Sequence, residues 1–311
     1  MLKYILLVGG FFLLIKGADL FVDGSSAAAK MLKVSPLIIG MTIVAMGTSL
    51  PETSVSVSAA IIGKNELAIS NVVGSNIFNL MVVCGMCAVL CPLKIDGESL
   101  KRDFPFSIAI AGLLMLLGWL GRSVGHIDGI ILLLLFTCFL IIMIRSAKKQ
   151  QNENNSEDEY KTMPIWKLLL FIIIGMAAIG IGGKMVVSGA SDIARRFGMS
   201  DNLIGMTIVA LGTSLPELVT SVVAAKKNEV DMALGNVIGS NIFNILLVLG
   251  AASAIHPIAF TMANLTDTAV LIAMSGLVLL FCIRKKKIVR WQGITMLLIY
   301  AGYTAYIINR N

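Results

Sequence analysis

Stretches of about 20 predominantly apolar residues recur about ten times along this 311-residue chain. Each is long enough to cross a hydrocarbon layer as a helix rising about 1.5 Å per residue. They are too long and too uniformly apolar to be barrel strands, so helices are the spanning elements. With 57% hydrophobic and 14% charged residues and a mean hydropathy of +0.89, the composition lies outside that of soluble domains. The chain reads as an all-α polytopic membrane protein of about ten transmembrane helices. Spans are expected at residues 2–22, 35–63, 67–91, 104–120, 125–145, 164–189, 200–225, 233–256, 267–283 and 291–309.

Charge gives these spans a direction. If the N-terminus starts outside, the connections at 23–34, 92–103, 145–163, 226–232 and 284–290 fall inside and carry 16 Lys and Arg, against 6 on the other side. Excess basic residues mark the cytoplasmic face, which predicts both termini outside. The net charge of +7 is then a topology signal, with RKKK at 284–287 as its densest patch, and not a nucleic-acid footprint. Lys16 and Asp23 are expected to snorkel at the end of the first span. Five cysteines lie in or at the ends of spans, and no pair of CxxC motifs or histidine cluster accompanies Cys84 and Cys87. They read as small apolar fillers, and His126 and His256 as interfacial structural residues.

The chain also repeats itself. Shifted by 165 positions, residues 40–79 align without a gap on 205–244, with 25 of 40 positions identical. Gly10, Gly17, Gly24 and Ser26 fall on Gly175, Gly182, Gly189 and Ser191 in the same register. The first span therefore matches the sixth, which reads as a core helix and not as a cleaved leader. Five spans per half is an odd number, so the halves enter the membrane from opposite sides. Three segments are expected: a first repeat at 1–145, a cytoplasmic linker at 146–163 and a second, inverted repeat at 164–311. Inverted repeats interrupted by Gly and Pro point to a secondary transporter with its site at the midplane.

The repeated blocks are GTSLPE, at Gly47 to Glu52 and Gly212 to Glu217, and GSNIFN, at Gly74 to Asn79 and Gly239 to Asn244. Pro51 and Pro216 remove a backbone donor and should open their helices, leaving carbonyls near Ala45 to Thr48, and again near Ala210, in need of partners. Thr48, Ser49 and Glu52 share a helical face, as do Thr213, Ser214 and Glu217. Ser75 and Asn79, and Ser240 and Asn244, add oxygens from two further helices. This all-oxygen set suits hard cations such as Ca²⁺ or Na⁺ and not zinc or copper. Two glutamates at the midplane with no Lys or Arg in either motif require cations or protons for neutrality. Asn71 and Asn236, Asn76 and Asn241, and Thr42 and Thr207 also recur, and read mostly as helix packing or supporting residues.

The paired GTSLPE and GSN blocks in two five-helix halves resemble the cation/calcium exchanger superfamily, nearest its prokaryotic sodium/calcium exchanger branch. The resemblance covers essentially the whole chain. It implies a ten-helix antiporter working by alternating access, in which the first and sixth spans slide past a more fixed core. Position by position, it implies ion ligands at Ala45, Thr48, Ser49, Glu52, Ser75 and Asn79, and at Ala210, Thr213, Ser214, Glu217, Ser240 and Asn244. Some members have an aspartate where this chain has Asn244, which leaves this site with one potential charge fewer. The expected substrates are Ca²⁺ and Na⁺, with H⁺ or K⁺-dependent exchange as the alternative. No cofactor, nucleic acid or obligate protein partner is expected, and the location is the plasma membrane of a prokaryote. A cation channel and an intramembrane enzyme are the competing classes, and no nucleophile or zinc motif at membrane depth supports the enzyme.

Overall fold

The computed structural model describes residues 2–63, 65–94, 99–153, 163–199 and 204–310. Residues 154–162 of the linker 146–163, the start of the seventh span and Lys64 lie outside them. The helices are α1 (Leu2–Leu32), α2 (Pro36–Thr48), α3 (Leu50–Ile61), α4 (Leu67–Leu90), α5 (Phe104–Gly121) and α6 (His126–Glu153). They continue with α7 (Ile165–Arg196), α8 (Thr207–Thr213), α9 (Leu215–Lys226), α10 (Val230–Ile255), α11 (Met262–Lys285) and α12 (Arg290–Arg310). Among the described residues, seven helices are long and apolar enough to span a membrane, and nine spans result if α2 with α3 and α8 with α9 each count as one. The tenth expected span corresponds to α12, 21 residues long.

The first span is longer than expected. Residues 23–32, read above as part of a connection, continue α1, so Lys16 and Asp23 lie within a helix and not at its end. The reason is local: Ala27 to Ala29 favour helix and no proline interrupts the chain before Lys33, whose φ of 55° ends it.

Helices α1 and α7 pack antiparallel along a glycine seam. A Cβ on Gly10 would stand 2.9 Å from the Gly182 carbonyl oxygen, and one on Gly17 2.9 Å from that of Gly175. Glycine at seven-residue spacing thus brings two backbones together, the close approach that small residues permit between membrane helices. This pair is peripheral: 33% and 22% of their apolar windows are buried, against 78% for α4 and α10, which form the core.

Duplication extends to features that sequence identity does not reveal. All six described residues with left-handed backbone pair across the two halves: Lys33 with Gly198, Gly63 with Asn228, and Arg122 with Lys286. π-Helical turns recur too, Gly40–Val44 with Gly205–Val209 and Asn79–Val83 with Asn244–Leu249. Two short ribbons tie the halves together. Strand β1 (Leu93–Lys94) pairs with β4 (Lys287–Ile288), and β2 (Ser123–Val124) pairs with β3 (Ile258–Ala259). Each ribbon joins connections assigned to the same membrane side by the charge argument.

The seam makes a stability prediction. A Cβ on Gly175 would lie 2.7 Å from the Phe21 backbone nitrogen, whereas Gly180 has nothing within 4 Å. Gly175→Ala should lower the unfolding midpoint in detergent, with overpacking destabilising by about 1–3 kcal/mol. Gly180→Ala should leave that midpoint unchanged or raise it.

Candidate functional site

Both broken helices bend by 49°. The break falls at Ser49 (φ −83°, ψ 8°) and Ser214 (φ −92°, ψ 6°), slightly beyond the glycine expected from the sequence. Pro51 and Pro216 sit in the first turn of the following segment, where a missing N–H is tolerated. This corrects the expected set of released carbonyls. The Ala45 carbonyl keeps a helical bond from the Ser49 N–H at 3.0 Å, and that of Ser49 accepts from the Thr53 N–H at 3.1 Å. The bond that proline removes is the one from position 51 to Gly47.

The restart aims Glu52 and Glu217 into the junction of the two halves, where both are fully buried. Each is held by the opposite half. The Ser49 hydroxyl donates to Glu217 Oε1 at 3.0 Å, and the Ser214 hydroxyl donates to Glu52 Oε1, also at 3.0 Å. Ser214 also lies 3.0 Å from the Ser75 hydroxyl. The second oxygen of each carboxylate, Oε2, is buried with no hydrogen-bond partner, as are both amide atoms of Asn79 and the Asn244 Oδ1. Four side chains from four helices therefore present acceptor oxygens that no protein donor satisfies. Unpartnered buried polar atoms are rare, and four such oxygens against the single donor of Asn79 Nδ2 call for a cation.

Around this set the threonines are fixed by a relay that crosses the halves twice. Thr48 Oγ1 lies 3.1 Å from Asn236 Oδ1, whose Nδ2 donates to Ser221 Oγ at 2.9 Å. In the mirrored relay, Thr213 Oγ1 lies 3.4 Å from Asn71 Oδ1, and Asn71 Nδ2 donates to Ser56 Oγ at 3.0 Å. Ser240 joins the first relay at 3.5 Å from Asn236. Asn76 and Asn241 donate to each other's backbone carbonyls, at 3.1 and 3.3 Å, and Asn76 Oδ1 accepts from Asn244 Nδ2 at 3.0 Å. Asn71, Asn76 and Asn236 are thus bonded to candidate ligands, and Asn241 is bonded to Asn76. Ser56 and Ser221 were overlooked, although both recur at the 165-residue offset four positions beyond a glutamate.

Eleven of the twelve expected residues are buried here, while Ala210 is exposed. That exception belongs to a wider difference between the halves. Helix α2 is pressed onto α10, where a Cβ on Gly239 would stand 2.7 Å from Met41 Cα and 2.8 Å from Ala45 Cβ. At the matching Gly74, nothing among the described residues, Ala210 included, lies within 4 Å. Val44 is 1% exposed and its counterpart Val209 is 38% exposed. Among the described residues, the side of the basic connections is the more tightly packed of the two.

The remaining candidates stay apart from this site. Cys84, Cys87 and Cys282 are buried free thiols, and His126 Nδ1 meets the Ala254 carbonyl at 2.9 Å. Among the described residues no group of three His, Cys, Asp or Glu could hold a metal.

Comparison with known proteins agrees with this architecture. The profile of the family described as sodium/calcium exchanger protein matches residues 2–145 and 167–309. A membrane protein of Methanocaldococcus jannaschii is 39% identical over 292 residues, covering 94% of this chain and 93% of that protein. The sodium/calcium exchanger MaX1 of Methanosarcina acetivorans is 32% identical over 339 residues, covering 97% of each. Among solved structures, the sodium-calcium exchanger NCX_Mj soaked with Na⁺ and zero Ca²⁺ superposes with a TM-score of 0.87 at 36% identity, covering 98% of both chains. The form soaked with Na⁺ and Sr²⁺ gives 0.86, covering 98% of this chain and 99% of that one. The chain is an all-α, multi-pass integral membrane protein that belongs to the sodium/calcium exchanger family, a family of transporters and not of enzymes.

Proposed function

We propose that this chain is a secondary antiporter that exchanges Ca²⁺ for Na⁺ by alternating access, with Ca²⁺ bound between Glu52 and Glu217. The observation that carries the reading is the pair of wholly buried glutamates, each with one oxygen held by a serine of the opposite half and the other without a donor. Two carboxylates without a basic partner are strongly unfavourable inside a membrane. One Ca²⁺ neutralises both, and Na⁺ ions do so in its place. Mutual exclusion follows from charge, and mutual exclusion is the basis of antiport. The exchanger named in Methanosarcina acetivorans and the solved exchanger NCX_Mj support this ion pair.

Each oxygen type has a role in this scheme. Glu52 and Glu217 supply charge; Asn79 and Asn244 supply neutral carbonyl oxygens. Thr48, Ser49, Ser75, Thr213, Ser214 and Ser240, with the carbonyls of Ala45 and Ala210, complete sites for the smaller charge of Na⁺. Residues 1–145 and 164–311 act as inverted repeats of five spans each, joined by the linker 146–163, with both termini outside a prokaryotic plasma membrane. Alternating access then has a physical form. In the present state α2 is packed closely on α10, while α8 meets α4 through Thr213 and Asn71 and is looser toward Val209. Exchanging these two packings across the pseudo-twofold axis would open the sealed side and close the other. An H⁺/Ca²⁺ antiporter is the second reading, because the two carboxylates are the acidic groups in the repeated motifs.

Vesicles containing the purified chain and loaded with Na⁺ should accumulate ⁴⁵Ca²⁺ on dilution into Na⁺-free medium. Uptake driven by a pH gradient and not by Na⁺ would favour the proton reading instead. Glu52→Gln and Glu217→Gln should each reduce uptake to background while the protein remains inserted and monodisperse. Asn236→Leu, which removes the partner of Thr48 but no carboxylate, should retain exchange with Ca²⁺ affinity weakened about 10-fold. Unchanged half-saturation in that variant would remove the relay from the mechanism.

A further inference from the structure

We infer that the inner end of α1 is latched to the core by Asp19, Asp23 and Ser26 against Lys227 and Glu229, and that this latch holds the sealed side of the exchanger shut. The inference rests on the antiport reading and adds residues that position the transport cycle without touching the ions. Helices α1 and α7 form a peripheral body whose main contact is their shared seam, so any polar fastening to the core bears on how freely that body moves.

The fastening lies at the turn between α9 and α10. Lys227 Nζ stands 2.7 Å from Asp23 Oδ1 and 3.1 Å from Asp19 Oδ1, and donates to the Asp19 backbone carbonyl at 3.0 Å. The Ser26 hydroxyl donates to the Glu229 carboxylate. Lys16, one turn earlier on α1, is 3.9 Å from Asp19. Gly10 faces Gly182 and Gly17 faces Gly175, so the α1–α7 crossing is centred between residues 13 and 14. Asp19 then lies about 8 Å inward of that centre. Charge at such depth is unfavourable without a partner and is rarely incidental. The position is also informative: Lys227 and Glu229 lie just before the start of α10, the helix on which α2 is packed.

The sequence of the other half lacks these residues. At the 165-residue offset Ile62 replaces Lys227, Lys64 replaces Glu229, and Lys184 and Ser188 replace Asp19 and Asp23. Ser191, the counterpart of Ser26, is buried with its hydroxyl unpartnered. The seam, the breaks and the left-handed caps are all duplicated, but this set of charges is present once, on the side that is closed. A fastening present on one side alone biases an otherwise symmetric two-state machine.

Hydrogen exchange of the full chain in lipid nanodiscs, without Ca²⁺ or Na⁺, tests this. Lys227→Gln and the double variant Asp19→Asn/Asp23→Asn should each speed exchange of the amides of α2 about fivefold to tenfold, as expected for losing two or three partly exposed polar contacts. Amides of α8 should be unchanged or slowed, and ⁴⁵Ca²⁺ exchange should persist, which shows that the variants fold. Swapping the charges, as Asp23→Lys/Lys227→Asp, should restore slow exchange in α2. Wild-type protection of α2 in both loss-of-charge variants would overturn the latch. So would equal acceleration throughout the chain with no recovery on swapping. Hydrogen exchange needs no transport, so failure of the antiport reading appears in the vesicle assay of the unmodified chain and failure of the latch appears here.

Discussion

The architecture centres on two carboxylates that are wholly buried and that, among the described residues, no lysine or arginine pairs with. Glu52 and Glu217 are buried where the halves meet, and neither half satisfies its own glutamate. Ser49 supports Glu217, and Ser214 supports Glu52. The candidate site is therefore complete only when both halves are docked, which accounts for matching polar residues in both copies. The proline breaks serve the same end. By restarting the helix at Leu50 and Leu215 they place each serine at the bend and each glutamate in the first turn beyond it.

Symmetry and its failure divide the labour. What is duplicated builds the site and the scaffold: the 49° bends, the π-helical turns, the asparagine relays and the left-handed caps. What differs between the halves defines a state. Helix α2 is pressed against α10 where glycine removes the obstacle, while among the described residues nothing lies against the matching Gly74. Even the polar core departs from symmetry, because Asn244 is tied to Asn76 while both amide atoms of Asn79 are unpartnered. Asn79 and Asn244 thus begin from different environments despite identical sequence contexts.

Much of this was legible before any coordinates. Span length and composition identified a helical membrane protein, and an oxygen-rich, cysteine-free motif set pointed to hard cations. Other features required the fold. The continuation of α1 through residues 23–32 was hidden because polar residues there resemble a connection, yet Ser25 and Ser26 are buried. The exchange of serines between halves is a tertiary fact with no signal in local spacing. Asn71 and Asn236 looked like packing residues because they lie a full turn from Ser75 and Ser240, and only the approach of the opposite half brings threonine to them. Lys33 and Gly198, or Arg122 and Lys286, share a backbone conformation without sharing a residue type, so sequence identity passes over them.

The account stands on a cation lying between the two glutamates, and the most direct measurement locates it. Crystals of the full chain soaked in Sr²⁺, a heavier stand-in for Ca²⁺, should give one dominant anomalous peak within coordination distance of both Glu52 Oε2 and Glu217 Oε2, and soaking in excess Na⁺ should abolish it. A peak elsewhere, or one that Na⁺ does not displace, would contradict the proposed site and its competition.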